Sequence, residues 1–368
     1  MELASTYRNM SVLLTGHTGF KGSWLALWLT ELGAQVHGLS LAPPTTPNLF
    51  EEARIAGRLA SHTIGDIRDE KLLADVMRRA EPKIVFHLAA QPLVRRSYRE
   101  PRETFDVNVI GTVNVLEAVR RAPSVRVCQV VTSDKCYDNR EWVYAYREND
   151  PMGGADPYSA SKGCAELVVA AYQRSFFPPD QMDRHKVSLA SARAGNVIGG
   201  GDWAEDRIIP DCVRSLQQKQ PILVRNPQAI RPWQHVLEPL SGYLLLAMRQ
   251  WNEPATHAEA YNFGPAISGN VTVRHIVEKV IEGWGAGTWN GPEAQAAAAQ
   301  PHEANFLKLD ITKASALLQW RPLYGVDEAV EQTVSWYRRR HEAQADFDAA
   351  AATLAQIRSY EERVRQLS

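Results

Sequence analysis

With 368 residues, 41 basic against 42 acidic side chains and a net charge of −1, the chain has no charge excess to favour nucleic acid or a membrane surface as partner, and its length suits a large domain with a smaller companion. Its four cysteines, Cys128, Cys136, Cys164 and Cys212, lack metal-ligand spacing, so no metal is expected, and so few thiols point to a reduced, cytoplasmic protein. No stretch is long and apolar enough to span a bilayer, and the apolar run from Val12, short and broken by Gly and His, is not expected to be a signal peptide.

Strands and helices alternate along the first half. Ser11–Thr15 reads as a strand, followed by a Gly-rich turn and an amphipathic helix over Ser23–Leu32. Gln35–Leu41 is a second strand and His62–Ile64 a short third, with a helix over Asp69–Ala80. Lys83–Leu88 is apolar enough for a buried parallel strand. A helix over Asp106–Arg121, a strand over Arg126–Thr132, a helix over Tyr158–Arg174 and a strand over Val187–Arg193 complete the series. This order implies an α/β fold, a Rossmann-type doubly wound parallel sheet over residues 1–190. From Gly195 the texture changes to irregularly spaced Gly, Pro and Trp, which suggests a smaller, mainly substrate-binding domain over 191–368, with one return to the first domain near 231–261. Ala294–Ala299 is a low-complexity loop, and Val326–Ser368 reads as helical.

The first motif is Gly16-His17-Thr18-Gly19-Phe20-Lys21-Gly22, between a strand and a helix. Glycines at i, i+3 and i+6 allow a tight turn and bring backbone and helix N-terminus against a pyrophosphate. The acid that usually binds the adenosine ribose is absent: Ser40 stands near its place, with no Arg beside it for a 2′-phosphate. NAD against NADP is therefore open at this position. Asp66 and Ile67 follow the third strand, where Asp66 can meet the adenine amino group or cap a helix. Leu88, Ala89, Ala90 and Gln91 close the fourth strand, and small residues there let the backbone run against the cofactor. Asn108, on the next helix, is counted in the same set.

The second motif is Ser133-Asp134-Lys135, followed by Tyr158-Ser159-Ala160-Ser161-Lys162. Tyr158 and Lys162, at i and i+4, share a helix face, and the ammonium can lower the phenol pKa to make a base for a sugar hydroxyl. Ser133 would hold the same oxygen. Asp134 and Lys135 add a second acid/base pair, more than a simple alcohol dehydrogenase needs, which suggests oxidation followed by elimination. Arg193, Asn196, Arg207 and Arg231 are candidate partners for a diphosphate, because an Arg fork matches phosphate oxygens. Trp203 and Trp233 can stack on base or sugar or simply pack in the core. Arg95, Arg96 and Ser97 are placed to face a hexose.

These motifs resemble the extended short-chain dehydrogenase/reductase family, and within it the nucleotide-sugar 4,6-dehydratases, whose Thr-Asp-Glu triplet aligns with Ser133-Asp134-Lys135. Gly195-Asn196-Val197-Ile198-Gly199-Gly200-Gly201-Asp202-Trp203 and Arg231-Pro232-Trp233-Gln234-His235-Val236 carry the likeness onward, to about Pro322, and point to the branch acting on CDP-glucose. The resemblance implies NAD as cofactor, oxidation at C4 with Tyr158 as base, removal of the C5 proton, loss of the C6 hydroxyl protonated by Asp134, and return of hydrogen to C6, in deoxysugar biosynthesis for an O-antigen lipopolysaccharide. Asp134 must then be protonated and Lys135 neutral. Lys135, where the wider pattern has Glu, is open between C5 base and cationic stabiliser of the enolate. Pairing of Asp106–Arg121 and Tyr158–Arg174 with a second subunit, as a homodimer or homotetramer, is implied too. A 4-epimerase or decarboxylase of the same fold, and a non-catalytic dinucleotide sensor, are the rivals.

Overall fold

The computed structural model describes residues 3–266, 270–291 and 307–367. Its centre is one parallel sheet of seven strands: β1 (Ser11–Thr15), β2 (Gln35–Ser40), β3 (Ser61–Ile64), β4 (Ile84–His87), β5 (Val127–Val131), β6 (Ser188–Arg193) and β7 (Ala260–Asn262), ordered β7-β6-β5-β4-β1-β2-β3. Every residue of β4, β5 and β6 is buried, as in central strands covered on both faces, and the polar Gln129, Ser188, Ser191 and Arg193 among them are hydrogen-bonded. β3, at the edge, is mostly exposed and carries the weakest sequence signal.

Alternation along the strands divides the core. Leu13, Val85, Cys128 and Leu189 face one side, against the helices Glu70–Ala80, Gly111–Arg121 and Pro157–Phe176. Val12, Leu14, Phe86 and Ala190 face the other, against Phe20–Glu31 and Leu237–Asn252. The chain order reverses between β1 and β4, so a crevice opens there at the carboxyl ends of the strands, the place where such sheets bind ligands.

Three details differ from expectation. The first helix begins at Phe20, not Ser23, and it is buried all round instead of amphipathic. The reason is the tail: Trp28 Nε1 donates to Glu361 Oε1 at 2.7 Å and Arg358 pairs with Glu31 at 2.6 Å, so the helix Ala349–Leu367 covers the outer face of Phe20–Glu31. The last helix therefore packs on the first unit, although it belongs to the 191–368 span, while Val326–Ala343 packs on the helix Val273–Trp284. Finally, Asp106–Ile110 is a π-helical turn leading into Gly111–Arg121, a local widening often found at functional sites. The helix Leu237–Asn252 and β7 do return to the main sheet, β7 pairing parallel with β6. Ala294–Ala299 lies outside the described residues.

Candidate active site

A cavity of about 1680 Å³ opens over the crevice. The glycine-rich turn forms one wall. Gly16 has φ +78°, and a Cβ there would lie 2.6 Å from the Ala89 nitrogen; a Cβ on Gly22 would lie 2.0 Å from the Gly16 carbonyl oxygen. Only glycine lets the turn close on the end of β4. Gly19 precedes the Phe20–Glu31 helix and no side chain caps it, so first-turn N–H groups are left for an anion. Thr18 Oγ1 bonds Ser40 Oγ at 2.8 Å and donates to the Leu41 carbonyl at 2.8 Å, tying the turn to the end of β2. Ile67, Leu88, Ala89, Ala90 and Gln91 line the same cavity. These features fit a dinucleotide.

Two residues expected to touch a cofactor act differently. His17 does not line the cavity; its Nε2 bonds His62 Nδ1 at 2.7 Å and its ring packs on Phe50, because the missing side chain at Gly38 leaves a slot beneath β2. Burial, then His62, pushes its pKa down to about 4. Asn108 is also off the cavity: it accepts from the Gln91 N–H at 2.8 Å and donates to the Gln91 carbonyl at 3.1 Å, clamping the backbone that lines it. Asp66 is no helix cap, since Asp69 accepts from the Leu72 N–H; Asp66 lines the cavity with its carboxylate on Arg68, whose hydrogen bond lowers its pKa.

The catalytic candidates converge. Ser133 lies two residues beyond β5 and opens the single 3₁₀ turn Asp134–Cys136, its hydroxyl accepting from the Lys135 N–H at 3.2 Å. Asp156 caps the Pro157–Phe176 helix, accepting from the Ser159 N–H at 2.9 Å, and Pro157 is preset for the first turn, which places Tyr158 at the cavity. Ser133 Oγ donates to Asp134 Oδ1 at 2.9 Å, and Ser133 is near enough to the Tyr158 phenol to act against the upward push of burial on it. Asn196 Nδ2 donates to Asp134 Oδ2 at 3.3 Å. Asp134 is buried, Lys135 half-buried, and both line the cavity. Lys162 donates to the Val131 carbonyl at 3.4 Å, and burial pushes its pKa down to about 8. Burial pushes the Tyr158 phenol up to about 12, with Ser133 and the Arg207 guanidinium acting the other way. Burial thus outweighs the groups that would depress the phenol.

Lys21, expected only at the cofactor, reaches Tyr243 Oη at 3.5 Å; burial, Lys162 and Arg207 push its pKa down to about 7, and Asp134 opposes them. Its spacing alone could not show this, because Tyr243 comes from a helix more than 200 positions away.

On the substrate side, Arg95, Asn196, Arg207, Arg231 and Trp233 line the cavity. Arg207 pairs with Asp202 at 2.9 Å, Arg231 donates to its neighbour's carbonyl at 3.1 Å, and Trp233 Nε1 is buried with no hydrogen-bond partner. Arg193 and Ser97 are corrections. Arg193, 4% exposed, does not face the cavity but pairs with Glu166 at 2.7 Å, since β6 directs it between strands and helix. Ser97 is fully buried and donates to the Val94 carbonyl at 2.6 Å. Arg214 and Arg225, which line the same wall, carried no motif signal.

The family model described as GDP-mannose 4,6 dehydratase matches residues 13–333. The CDP-glucose 4,6-dehydratase of Salmonella typhimurium is 53% identical over 335 residues, 90% of this chain and 91% of that protein. A crystal structure of dTDP-glucose 4,6-dehydratase from Bacillus anthracis in complex with NAD superposes with a TM-score of 0.74 at 20% identity, covering 90% of this chain and 98% of that one. UDP-glucose 4-epimerase from Thermotoga maritima, with UDP-glucose, also superposes with a TM-score of 0.74 at 22% identity, covering 89% and 99%. The shared fold therefore does not choose between dehydration and epimerisation.

Proposed function

The chain belongs to the GDP-mannose 4,6 dehydratase family, and from that membership we propose that it is an NAD-dependent nucleotide-sugar 4,6-dehydratase acting on CDP-glucose. It converts CDP-D-glucose to CDP-4-keto-6-deoxy-D-glucose and water. The observation that carries this reading is the buried series Tyr158, Ser133, Asp134. An acid beside the oxidation site serves departure of the C6 hydroxyl, and a 4-epimerase has no use for one. A dinucleotide sensor has no use for either.

Tyr158 takes the C4 hydroxyl proton, with Ser133 holding the same oxygen. NAD, when bound, supplies oxidation at C4 and the matching reduction at C6. The new ketone acidifies the C5 proton, which Lys135 removes and later returns. Asp134 gives its proton to the C6 oxygen, which leaves as water. Each cycle leaves Tyr158 one proton richer and Asp134 one poorer, and the Ser133 hydroxyl between them is the short path that resets both. Arg207 and Arg231 receive the diphosphate, Arg95 faces the hexose, and Trp233 meets the base or sugar.

Incubation with a panel of nucleoside-diphosphate hexoses, read by loss of one water, tests the reading. Deuterium placed at C4 should appear at C6 of the same molecule without added reductant. Label lost to free cofactor would mean an ordinary dehydrogenase.

A homodimer or homotetramer and a cytoplasmic, deoxysugar-forming role in lipopolysaccharide O-antigen synthesis complete the proposal. The exposed apolar Ile110 and Leu167, on the two helices meant to pair, and four free cysteines support it. Among the described residues no helix is long and apolar enough to cross a membrane.

A further inference from the structure

One buried carboxylate has no part in this chemistry. Glu166 lies one turn beyond Lys162 on the Pro157–Phe176 helix. The two side chains hold consecutive residues at the end of β5: Lys162 Nζ donates to the Val131 carbonyl at 3.4 Å, and Thr132 Oγ1 donates to Glu166 Oε1. Ser133, Asp134 and Lys135 follow at once. From β6, Ser191 Oγ and Arg193 Nη2 each donate to Glu166 Oε2 at 2.7 Å. Arg193 Nη1 then donates to Tyr137 Oη at 2.7 Å and to the Glu148 carbonyl at 2.9 Å, beyond the catalytic turn. Both members of the pair are only 4% exposed.

We propose that Glu166, held by Arg193, is a positioning residue: it sets the strand end that presents Ser133, Asp134 and Lys135, and it is the counter-charge that keeps Lys162 an ammonium. The inference rests on the dehydratase reading for its consequence, not for its measurement. A buried ion pair is a weak source of stability, because desolvation offsets the attraction and apolar residues of equal volume serve as well. Its position explains it better. Burial pushes Lys162 down, and Glu166 is the strongest influence holding it up. Burial opposes ionisation of Glu166, but Arg193, Thr132 and Ser191 outweigh it and keep the carboxyl below its ordinary value. The other groups coupled to Lys162 are Lys21 on the Phe20–Glu31 helix, a like charge; His87 on β4, kept neutral by burial; and the Cys136 thiol, pushed up by burial. Asp134 and Tyr158 lie on the cavity side, and Arg193 stands behind Glu166. Among the groups coupled to Lys162, Glu166 carries the one formal negative charge.

Glu166→Gln keeps the shape and removes the charge. Trace labelling of lysines with isotopic acetic anhydride across pH, read at the Lys162 peptide by mass spectrometry, reports the Lys162 titration without substrate. The midpoint should fall by about one pH unit or more, the size of effect expected from losing a buried neighbouring charge. The alkaline limb of turnover should move with it, and Glu166→Asp should restore part of both. A merely structural role would lower activity at every pH and leave the Lys162 midpoint in place. Should Glu166→Gln not fold, Glu166→Gln/Arg193→Gln removes the buried pair together and should show a fall in the same direction but smaller, because loss of the Arg193 cation offsets part of the lost attraction. A Lys162 midpoint unchanged in whichever variant folds overturns the proposal. Failure of the wild type to dehydrate CDP-glucose would instead refute the dehydratase reading and leave this titration standing.

Discussion

Gly195→Ala should divide the reaction into its two halves. A Cβ at position 195 would lie 1.9 Å from Asp134 Cγ and 2.0 and 2.2 Å from its carboxylate oxygens. Ordinary heavy-atom contacts need roughly 3.5 Å or more, so the carboxylate must move by roughly 1.5 Å. The obstructing atoms are the end of one side chain, and Gly195 is not among the positive-φ residues, so the fold should tolerate the change. The hydrogen bonds to Asp134 from Ser133 at 2.9 Å and Asn196 at 3.3 Å do not survive such a move. A misplacement of about 1 Å can cost on the order of 100-fold, and complete loss of a general acid about 10²–10⁴-fold. Product formation should fall within that span, while oxidation at C4, which depends on Tyr158, stays close to wild type. Rapid mixing with CDP-glucose should then show reduced nicotinamide absorbance that builds and persists, with little water lost from the sugar by mass spectrometry. Asp134→Asn should behave alike. The double variant should be hardly worse than either single one, because both remove the same group. Gly195→Ala turning over at the wild-type rate would refute the reasoning.

Tyr158→Phe should lower turnover by about 10²–10⁴-fold while CDP-glucose binding, measured by calorimetry, persists; near-normal turnover would remove Tyr158 from its role. Lys135→Ala should abolish solvent-deuterium incorporation at C5, and retained exchange would leave Lys135 only the stabiliser's part. Gly16→Ala meets backbone at 2.6 Å with φ +78° and should weaken dinucleotide binding at least about tenfold, read by fluorescence titration. Stability should fall below about pH 6.5, because burial depresses His17 to about 4 and His87 and His235 to about 3, so these rings stay neutral when folded yet take protons when unfolded. Each contributes roughly 1.4 kcal/mol of loss per pH unit between its unfolded and folded values. Urea midpoints equal at pH 7 and pH 5 would contradict this.

Local pattern alone carried the alternating strands and helices, the glycine turn, and the Ser133-Asp134-Lys135 and Tyr158/Lys162 sets, because each is a matter of period, turn chemistry or i,i+4 spacing read within a few residues. The family likeness rested on the same short segments and agrees with the matched family model. What tertiary structure decided is where long-range partners meet. His17, inside the cofactor motif, turns away to His62 and Phe50 because Gly38 opens a slot. Arg193 looks like a phosphate ligand until the Pro157–Phe176 helix brings Glu166 against it. Lys21 joins the catalytic groups only because Tyr243 arrives from the Leu237–Asn252 helix, and the first helix loses its solvent face only because the tail returns to cover it. A side chain's partner across the sheet depends on packing between segments far apart in the chain, and no local period encodes that.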